Sequence, residues 1–536
     1  MSKKSFIRGA AVLGIAGLMV QVMGAIFRIP IGNIIGDEGM GYYQTAYPIY
    51  VFLLVFSTNG APAAISKMVS ERLAIGQAGE AHRVFKVSFV LMAAIGILAA
   101  AIFFFGARPI VTLLKNPGAY YSMLAIAPAL LFVPLMAVFR GYFQGMQEME
   151  PTAVSQLAEQ AVRVAVGLGL AIFLVSSGTE LAAAGASAGT SVGPIVGTLV
   201  LIRLYQKRRG RIQQAIAAEG QKHFERAGDL LKQLAAIAIP ITIGVSILPI
   251  MNIVDVSLVM RRLQDTGFTM QEANALYGQL TGMAGPVINI PMALALSIAL
   301  SLVPAIAAAK SMGDEAFLQT NIRLGLRTSM IIGVPCSFGL MALAEPIMLL
   351  FYPLQKASAV SAAGSLFYLS TGIIFLSIAQ TMAGVLQGLG KPMLPVKSLI
   401  AGILVKIALT WVLTGIPALH VQGAAIGSAA AYLVIGMINL WFVKQLAGTS
   451  FQPGLSVGKP LIAGTFMGVV VVVFSRLFAD LLGNSISTLV AVALGAAVYG
   501  ILLLKIRAIE PREIKLMPKG EKLVRILVKL RLVSED

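Results

Sequence analysis

Gly141-Tyr142-Phe143-Gln144-Gly145 recurs 243 positions later as Gly384-Val385-Leu386-Gln387-Gly388. Two more correspondences share nearly that offset. Arg163 and Lys406 each stand 22 residues beyond the first glycine of their segment, and Pro62 before Lys67 matches Pro304 before Lys310 at 242. Self-similarity at one long period marks a duplicated structural unit. Both copies lie inside long apolar runs, so the duplicated unit is a set of membrane helices. Six helices separate equivalent positions, an even number, so the two lobes share one orientation in the bilayer.

Composition agrees. Of the 536 residues 57% are hydrophobic and 12% charged, against roughly 45–50% and about 25% in soluble domains. Mean hydropathy is +0.86. The 54 glycines fall within apolar segments, where they permit close helix packing, so collagen-like and disordered classes are excluded. One cysteine (Cys336) and three scattered histidines (His82, His223, His420) offer no disulfide framework and no metal-ligand spacing. The formal charge of +18 would suggest nucleic acid in a soluble domain. Here it sits in loops and tails, so the expected partners are anionic membrane lipids and no nucleic acid.

A spanning helix needs about 20 mostly apolar residues. That criterion gives about fourteen, near 5–28, 44–68, 83–106, 120–145, 152–176, 181–205, 230–260, 277–309, 320–344, 360–388, 395–415, 421–444, 459–479 and 485–505. The basic start Met1–Arg8 opens a run too long for a signal peptide and is read as a retained first helix. With the N-terminus in the cytoplasm, alternation places 31 of the 41 Lys and Arg at cytoplasmic ends, as the positive-inside rule requires. The expected protein is all-α and multi-pass in the cell membrane, with both termini cytoplasmic. Its domains are a six-helix lobe 1–205, a basic linker 206–229, a six-helix lobe 230–445, two added helices over 446–505, and a basic amphipathic tail 506–536. That tail would lie on the inner leaflet or dock on the protein's own underside.

Duplicated helical lobes around a midplane cavity are a transporter design. No pore-lining filter segment points to a channel, no catalytic constellation points to an enzyme, and no Gly-x-x-x-x-Gly-Lys loop points to direct use of ATP.

Further residues carry a family resemblance. Phe139-Arg140-Gly141-Tyr142-Phe143-Gln144-Gly145 continues into Pro151-Thr152-Ala153-Val154-Ser155-Gln156 and Glu159-Gln160-Ala161-Val162-Arg163-Val164. Ile35-Gly36-Asp37-Glu38-Gly39-Met40-Gly41 and Gly60-Ala61-Pro62-Ala63-Ala64-Ile65-Ser66-Lys67 agree with them. Across essentially its whole length the chain resembles the polysaccharide-biosynthesis branch of the multidrug/oligosaccharidyl-lipid/polysaccharide exporter superfamily. The resemblance is nearest to stage V sporulation protein B-like flippases, related to lipid II flippases. It implies a V-shaped pair of lobes, alternating access and a polyprenyl-pyrophosphate-linked sugar cargo. Lipid II flippases keep arginines on the first helix; this chain has Gln21 there and Arg28 only near its end.

Charges inside spans are costly and mark candidate sites. Arg28, Arg140, Arg163 and Lys406 are candidate substrate-binding cations, since arginine can grip phosphate oxygens bidentately. Each has a structural alternative: Arg28 and Arg140 as interfacial anchors, Arg163 paired with Glu159 four residues before it on one helix face. Lys406 is expected to face the cavity with Arg163 across from it. Asp255 with Asn252 would bind a coupling cation or cap backbone freed by Pro249. Asn59, beside Gly60 and Pro62, would mend a broken helix.

The leading expectation is an alternating-access flippase that moves a polyprenyl-pyrophosphate-linked oligosaccharide or peptidoglycan precursor from the inner to the outer leaflet. A cation-coupled multidrug exporter and a non-transporting scaffold for cell-envelope synthesis enzymes are the alternatives. No cofactor is expected beyond a coupling cation, sodium or proton. A cleft of net positive charge favours an anionic headgroup over cationic drugs.

Overall fold

The computed structural model of the chain describes residues 3–55, 57, 60–219 and 225–508, all helical or connecting among those described. The chain divides into two compact units, Met1–Gly282 and Met283–Asp536. The first holds α1 (Lys3–Val55), α2 (Ala61–Ala74), α3 (Ala78–Leu113), α4 (Tyr120–Ile126), α5 (Ala129–Gly145), α6 (Glu150–Leu174), α7 (Thr179–Ala217), α8 (Ala227–Asp265) and α9 (Met270–Gly278). The second holds α10 (Gly285–Met312), α11 (Glu315–Ala342), α12 (Ala344–Phe351), α13 (Lys356–Thr371), α14 (Ile373–Gly388), α15 (Met393–Thr414), α16 (Gln422–Ala447) and α17 (Lys459–Lys505).

Among the described residues nine helices are long and apolar enough to cross a membrane, ten if the bent pair α13 and α14 counts as one crossing. Every one of the fourteen expected windows lies over helical residues. Two long helices are divided by glycines with left-handed φ. Gly36 (φ 68°) breaks α1, and Gly483 (φ 72°) breaks α17 between the expected spans 459–479 and 485–505. L-residues with a side chain rarely adopt such φ, whereas glycine does so freely. Within the expected helix 44–68, α1 runs to Val55, α2 begins at Ala61, and Ser57 and Gly60 between them are π-helical. Asn59, expected to mend a broken helix there, lies outside the described residues. So does the expected tail from residue 509 onward.

Leu, Phe and Ile project outward from the described helices, with Phe105 and Phe173 among the most exposed. In water such surface would drive aggregation; here it faces lipid. Small residues bring the helices together. α7 lays Gly185, Gly189, Gly193 and Gly197 along α6, where added Cβ atoms would meet the Leu170, Arg163 and Glu159 backbones and Met136 Sδ. This four-residue spacing of glycines is how membrane helices approach closely.

The repeat is visible in packing. Gly141 and Gly145 of α5 seat on α2, against the Pro62 carbonyl and against Val69 Cβ and the Ser66 carbonyl. Gly384 and Gly388 of α14 seat on α10 in the same way, against the Ala299 carbonyl and against Ile306 Cβ and the Val303 carbonyl. The packing partners are thus 237 residues apart, not 242. Pro62 corresponds to Ala299, and the match with Pro304 is corrected: connections between the two helices differ in length, so one offset does not hold throughout. Arg163 and Lys406 do correspond. In each unit a glycine of the following helix, Gly189 or Gly427, packs over that residue's carbonyl.

The 206–229 linker is partly helical, because α7 runs on to Ala217 and carries Lys207-Arg208-Arg209-Gly210-Arg211 within it. At about 1.5 Å per residue the 39 residues of α7 exceed a bilayer core of about 30 Å. By packing, α8 and α9 lie with the first unit against α1, whereas the sequence repeat assigns them to the second lobe.

Within each unit, residues expected on the same side of the membrane meet. Arg72 pairs with Glu225 at 2.6 Å, and Arg208 pairs with Glu148 at 2.6 Å. Lys310 donates to the Leu389 carbonyl and Lys459 to the Arg507 carbonyl. On the other expected side, Asn116 donates to Thr45 and Asn274, Asn274 to the Glu38 carbonyl, and Gln279 to Asp37. These contacts fix which ends share a side.

Candidate functional site

Beyond the Gly36 break, α1 carries Tyr43, Tyr47 and Tyr50, spaced three and four apart and so on one helix face. Tyr43 and Tyr47 stack with centroids 5.8 Å apart, and Tyr47 and Tyr50 are also 5.8 Å apart. Phe27, from before the break, approaches Tyr43 at 6.4 Å. α6 packs on this face and presents Arg163. Its Nη2 donates to Tyr43 Oη at 3.1 Å, and its guanidinium carbon lies 5.4 Å from the Tyr47 ring centroid. Stacked rings offer a cation their negative faces. Among the described residues no carboxylate pairs with Arg163, and its Nε is buried with no acceptor. A charged donor so placed retains unused hydrogen-bonding capacity for an anion.

One turn back along α6, Glu159 meets a cation from α5. Arg140 Nη2 donates to Glu159 Oε2 at 2.8 Å, and Arg140 Nε donates to Ser155 Oγ at 3.0 Å. Ser155 Oγ in turn donates to the Thr152 carbonyl at 2.8 Å. The expected pairing of Glu159 with Arg163 is therefore not formed. Four residues advance a helix by about 400°, which leaves the two side chains about 40° apart. Glu159 turns toward α5, where Arg140 Nη2 offers a directed donor, while Arg163 turns toward the tyrosines of α1. Glu159 and Arg163 are still one helical turn apart on α6, so the pair adjoins the Arg163 cluster. The side chains of Arg140 and Glu159 remain 15% and 22% exposed.

Arg28 is half-buried on α1, next in sequence to Phe27, whose ring approaches Tyr43 at the edge of this cluster. The missing side chain of Gly141 admits a helix, α2, rather than a ligand. Asp255 is half-buried on α8 and acts electrostatically on Tyr277. Asn252, three residues before Asp255 on the same helix, is exposed. In the second unit Lys406 is buried, 8% exposed, on the α15 face of Ser398, Gly402, Thr410 and Thr414 that packs on α16. It is not lipid-facing.

The expected site residues thus gather unevenly. Arg28, Arg140, Glu159 and Arg163 form one patch of the first unit, Asp255 lies elsewhere in that unit, and Lys406 belongs to the second. Sequence reading missed Tyr43, Tyr47, Tyr50 and Ser155. The tyrosine spacing was the available signal, but a stripe at helical period is equally a core pattern. The patch holds three guanidinium groups and one carboxylate, an arrangement that attracts a polyvalent anion and repels a cation.

The family model described as polysaccharide biosynthesis protein matches residues 6–310, and the MatE model matches 281–412. Three Bacillus subtilis proteins align over nearly the full chain. An uncharacterized membrane protein, YabM, is 30% identical over 97% of this chain and 96% of its own. Stage V sporulation protein B is 26% identical over 97% and 98%. The lipid II flippase MurJ is 27% identical over 93% and 95%. Among solved structures, an inward closed conformation of the lipid II flippase MurJ superposes with TM-score 0.66 at 16% identity. It covers 92% of this chain and 98% of that one. Fold, helix content and membrane character agree with these relatives.

Proposed function

The chain belongs to the polysaccharide biosynthesis protein family, and on that premise we propose that it flips a polyprenyl-pyrophosphate-linked saccharide or cell-wall precursor from the inner to the outer leaflet of the cell membrane. The observation that carries this reading is Arg163: a guanidinium inside a membrane unit, seated on tyrosine rings, with no carboxylate partner among the described residues and an unused Nε donor. A pyrophosphate supplies the acceptor oxygens that site lacks. The saccharide would enter with the headgroup while the polyprenyl chain stays in lipid, so no hydrophobic tail crosses an aqueous path. Arg140 and Arg28 flank the same patch and add charge without requiring sugar identity to be read there.

A cationic drug would meet the same guanidinium groups as repulsion, which disfavours the multidrug-exporter reading on this wall. The experiment uses protein reconstituted in vesicles with a labelled polyprenyl-pyrophosphoryl sugar. Transfer between leaflets is read by accessibility to an impermeant sugar-modifying enzyme, and drug transport is read separately with ethidium. Lipid transfer by the wild type, with no ethidium transport, is the expected result. Arg163→Gln should weaken headgroup binding by about 10- to 150-fold, the equivalent of the roughly 1.5–3 kcal/mol of a hydrogen bond to a charged group. Ethidium transport without lipid transfer would replace this reading with the exporter.

A further inference from the structure

Arg140 is the cation of the patch whose charge is already answered, and the answering group is a carboxylate of the protein itself. We propose that Glu159 is a displaceable internal counter-ion: the anionic headgroup takes its place on Arg140, and the released carboxylate takes up one proton. The proposal rests on the reading that the cargo is a pyrophosphate-linked lipid.

Four features of the first unit support it. Arg140 has two anchors of different kinds, Glu159 on Nη2 and Ser155 on Nε. When the carboxylate leaves, the serine still holds the guanidinium in position. Glu159 itself can leave only by side-chain rotation, because Gly193 and Gly197 of α7 pack directly over its carbonyl and Cβ. Both partners keep exposed surface, 15% and 22%, so a competing anion and water can reach them. Finally, Glu159 stands one helical turn before Arg163 on α6, so a headgroup held by Arg163 lies beside the pair.

The exchange is charge-balanced. The Arg140 Nη2–H hydrogen bond to Glu159 Oε2 breaks, and one from Nη2–H to a phosphate oxygen forms. Glu159 then faces a phosphate a few ångströms away in surroundings poorer than water, and two such like charges cannot comfortably both stay ionised. A proton from water on the carboxylate oxygen relieves this. The groups packed about Glu159 are Arg140 from α5, Ser155 one turn before it and Arg163 one turn after it on its own helix, with the tyrosines that hold Arg163 on α1 beyond; α7 presents glycine. Once cargo departs, Glu159 gives its proton back to water and returns to Arg140 as a carboxylate, and the carrier changes conformation without an unpaired guanidinium in the membrane.

Proton uptake on binding requires affinity to rise as pH falls, by at most about tenfold per pH unit for one proton. The probe is a polyprenyl-pyrophosphoryl-N-acetylglucosamine, whose phosphates are each substituted and so lack the second ionisation, at about pH 6, of a phosphate monoester; any slope between about pH 5 and 8 belongs to the protein. Binding to wild type, Glu159→Gln and Arg140→Gln is measured across that range, with calorimetry of the wild type in two buffers of different ionisation enthalpy. Expected are tighter wild-type binding in acid with net proton uptake, and a flat profile in Glu159→Gln. That variant should bind about tenfold tighter at neutral pH and flip more slowly, while Arg140→Gln binds weakly throughout. A wild type that binds without proton uptake overturns the proposal, and this readout holds even if a variant fails to fold. So does a Glu159→Gln variant that keeps the slope, or binds no better than wild type. No wild-type binding at any pH defeats the flippase reading itself, and the counter-ion role falls with it.

Discussion

Tyr43 is the residue on which the Arg163 site turns. It is 2% exposed, and its hydroxyl accepts a hydrogen bond from the guanidinium at 3.1 Å. Tyr43→Phe keeps the ring stacked on Tyr47 but removes one acceptor of a charged donor inside the membrane unit. The loss should be about 1.5–3 kcal/mol, seen as a lower midpoint in thermal unfolding of detergent-purified protein. The probe lipid should restore much of it, because phosphate oxygens replace the missing acceptor and binding stabilises the folded form. A Tyr43→Phe protein as stable as wild type would mean that the Tyr47 ring face alone satisfies Arg163. Glu159 shows the same dependence on neighbours. Its sequence offers Arg163 four residues on, yet α5 brings Arg140 into better geometry, and the directed pair forms across helices.

At the scale of elements, α6 and α7 are held by the absence of side chains. A Cβ at Gly193 would lie 2.7 Å from the Glu159 carbonyl oxygen, and backbone cannot move aside as a flexible side chain can. Gly193→Ala should therefore separate the helices and cost about 1–3 kcal/mol through overpacking, while disturbing the Arg140–Glu159 pair on the facing turn. Gly169, on α6, has nothing within 4 Å of the Cβ position. Gly169→Ala should be neutral or stabilise by up to about 1 kcal/mol, because alanine restricts the unfolded chain more than glycine. Thermal unfolding of the two single variants checks both. Equal effects would show that the glycine stripe does not set the crossing. The same logic ties α5 to α2 and α14 to α10, so the repeated Gly-x-x-Gln-Gly segment is first a packing device.

For the whole molecule, the sidedness of charge predicts that the N-terminus, the basic end of α7 and the C-terminal tail face the cytoplasm. In a Cys336→Ala background, single cysteines at Ser2, Gly210 and Ser534 should resist an impermeant thiol reagent in intact cells and react once the membrane is opened. Labelling of any one in intact cells would reverse or break the topology. Much of this was readable from the chain because the bilayer imposes a strict one-dimensional code. Segment length and apolarity decide which residues cross, backbone hydrogen bonding makes each crossing helical, and the basic loops carry the orientation. The repeat, the membrane class and the family all followed from local pattern. Partner choice did not. Glu159 with Arg140, Arg163 with Tyr43, Pro62 equivalent to Ala299, and Lys406 turned toward α16 each depend on rotations of tens of degrees and on which helix lies across the interface. Sequence spacing along one helix records which residues share a face; only tertiary packing decides what that face meets.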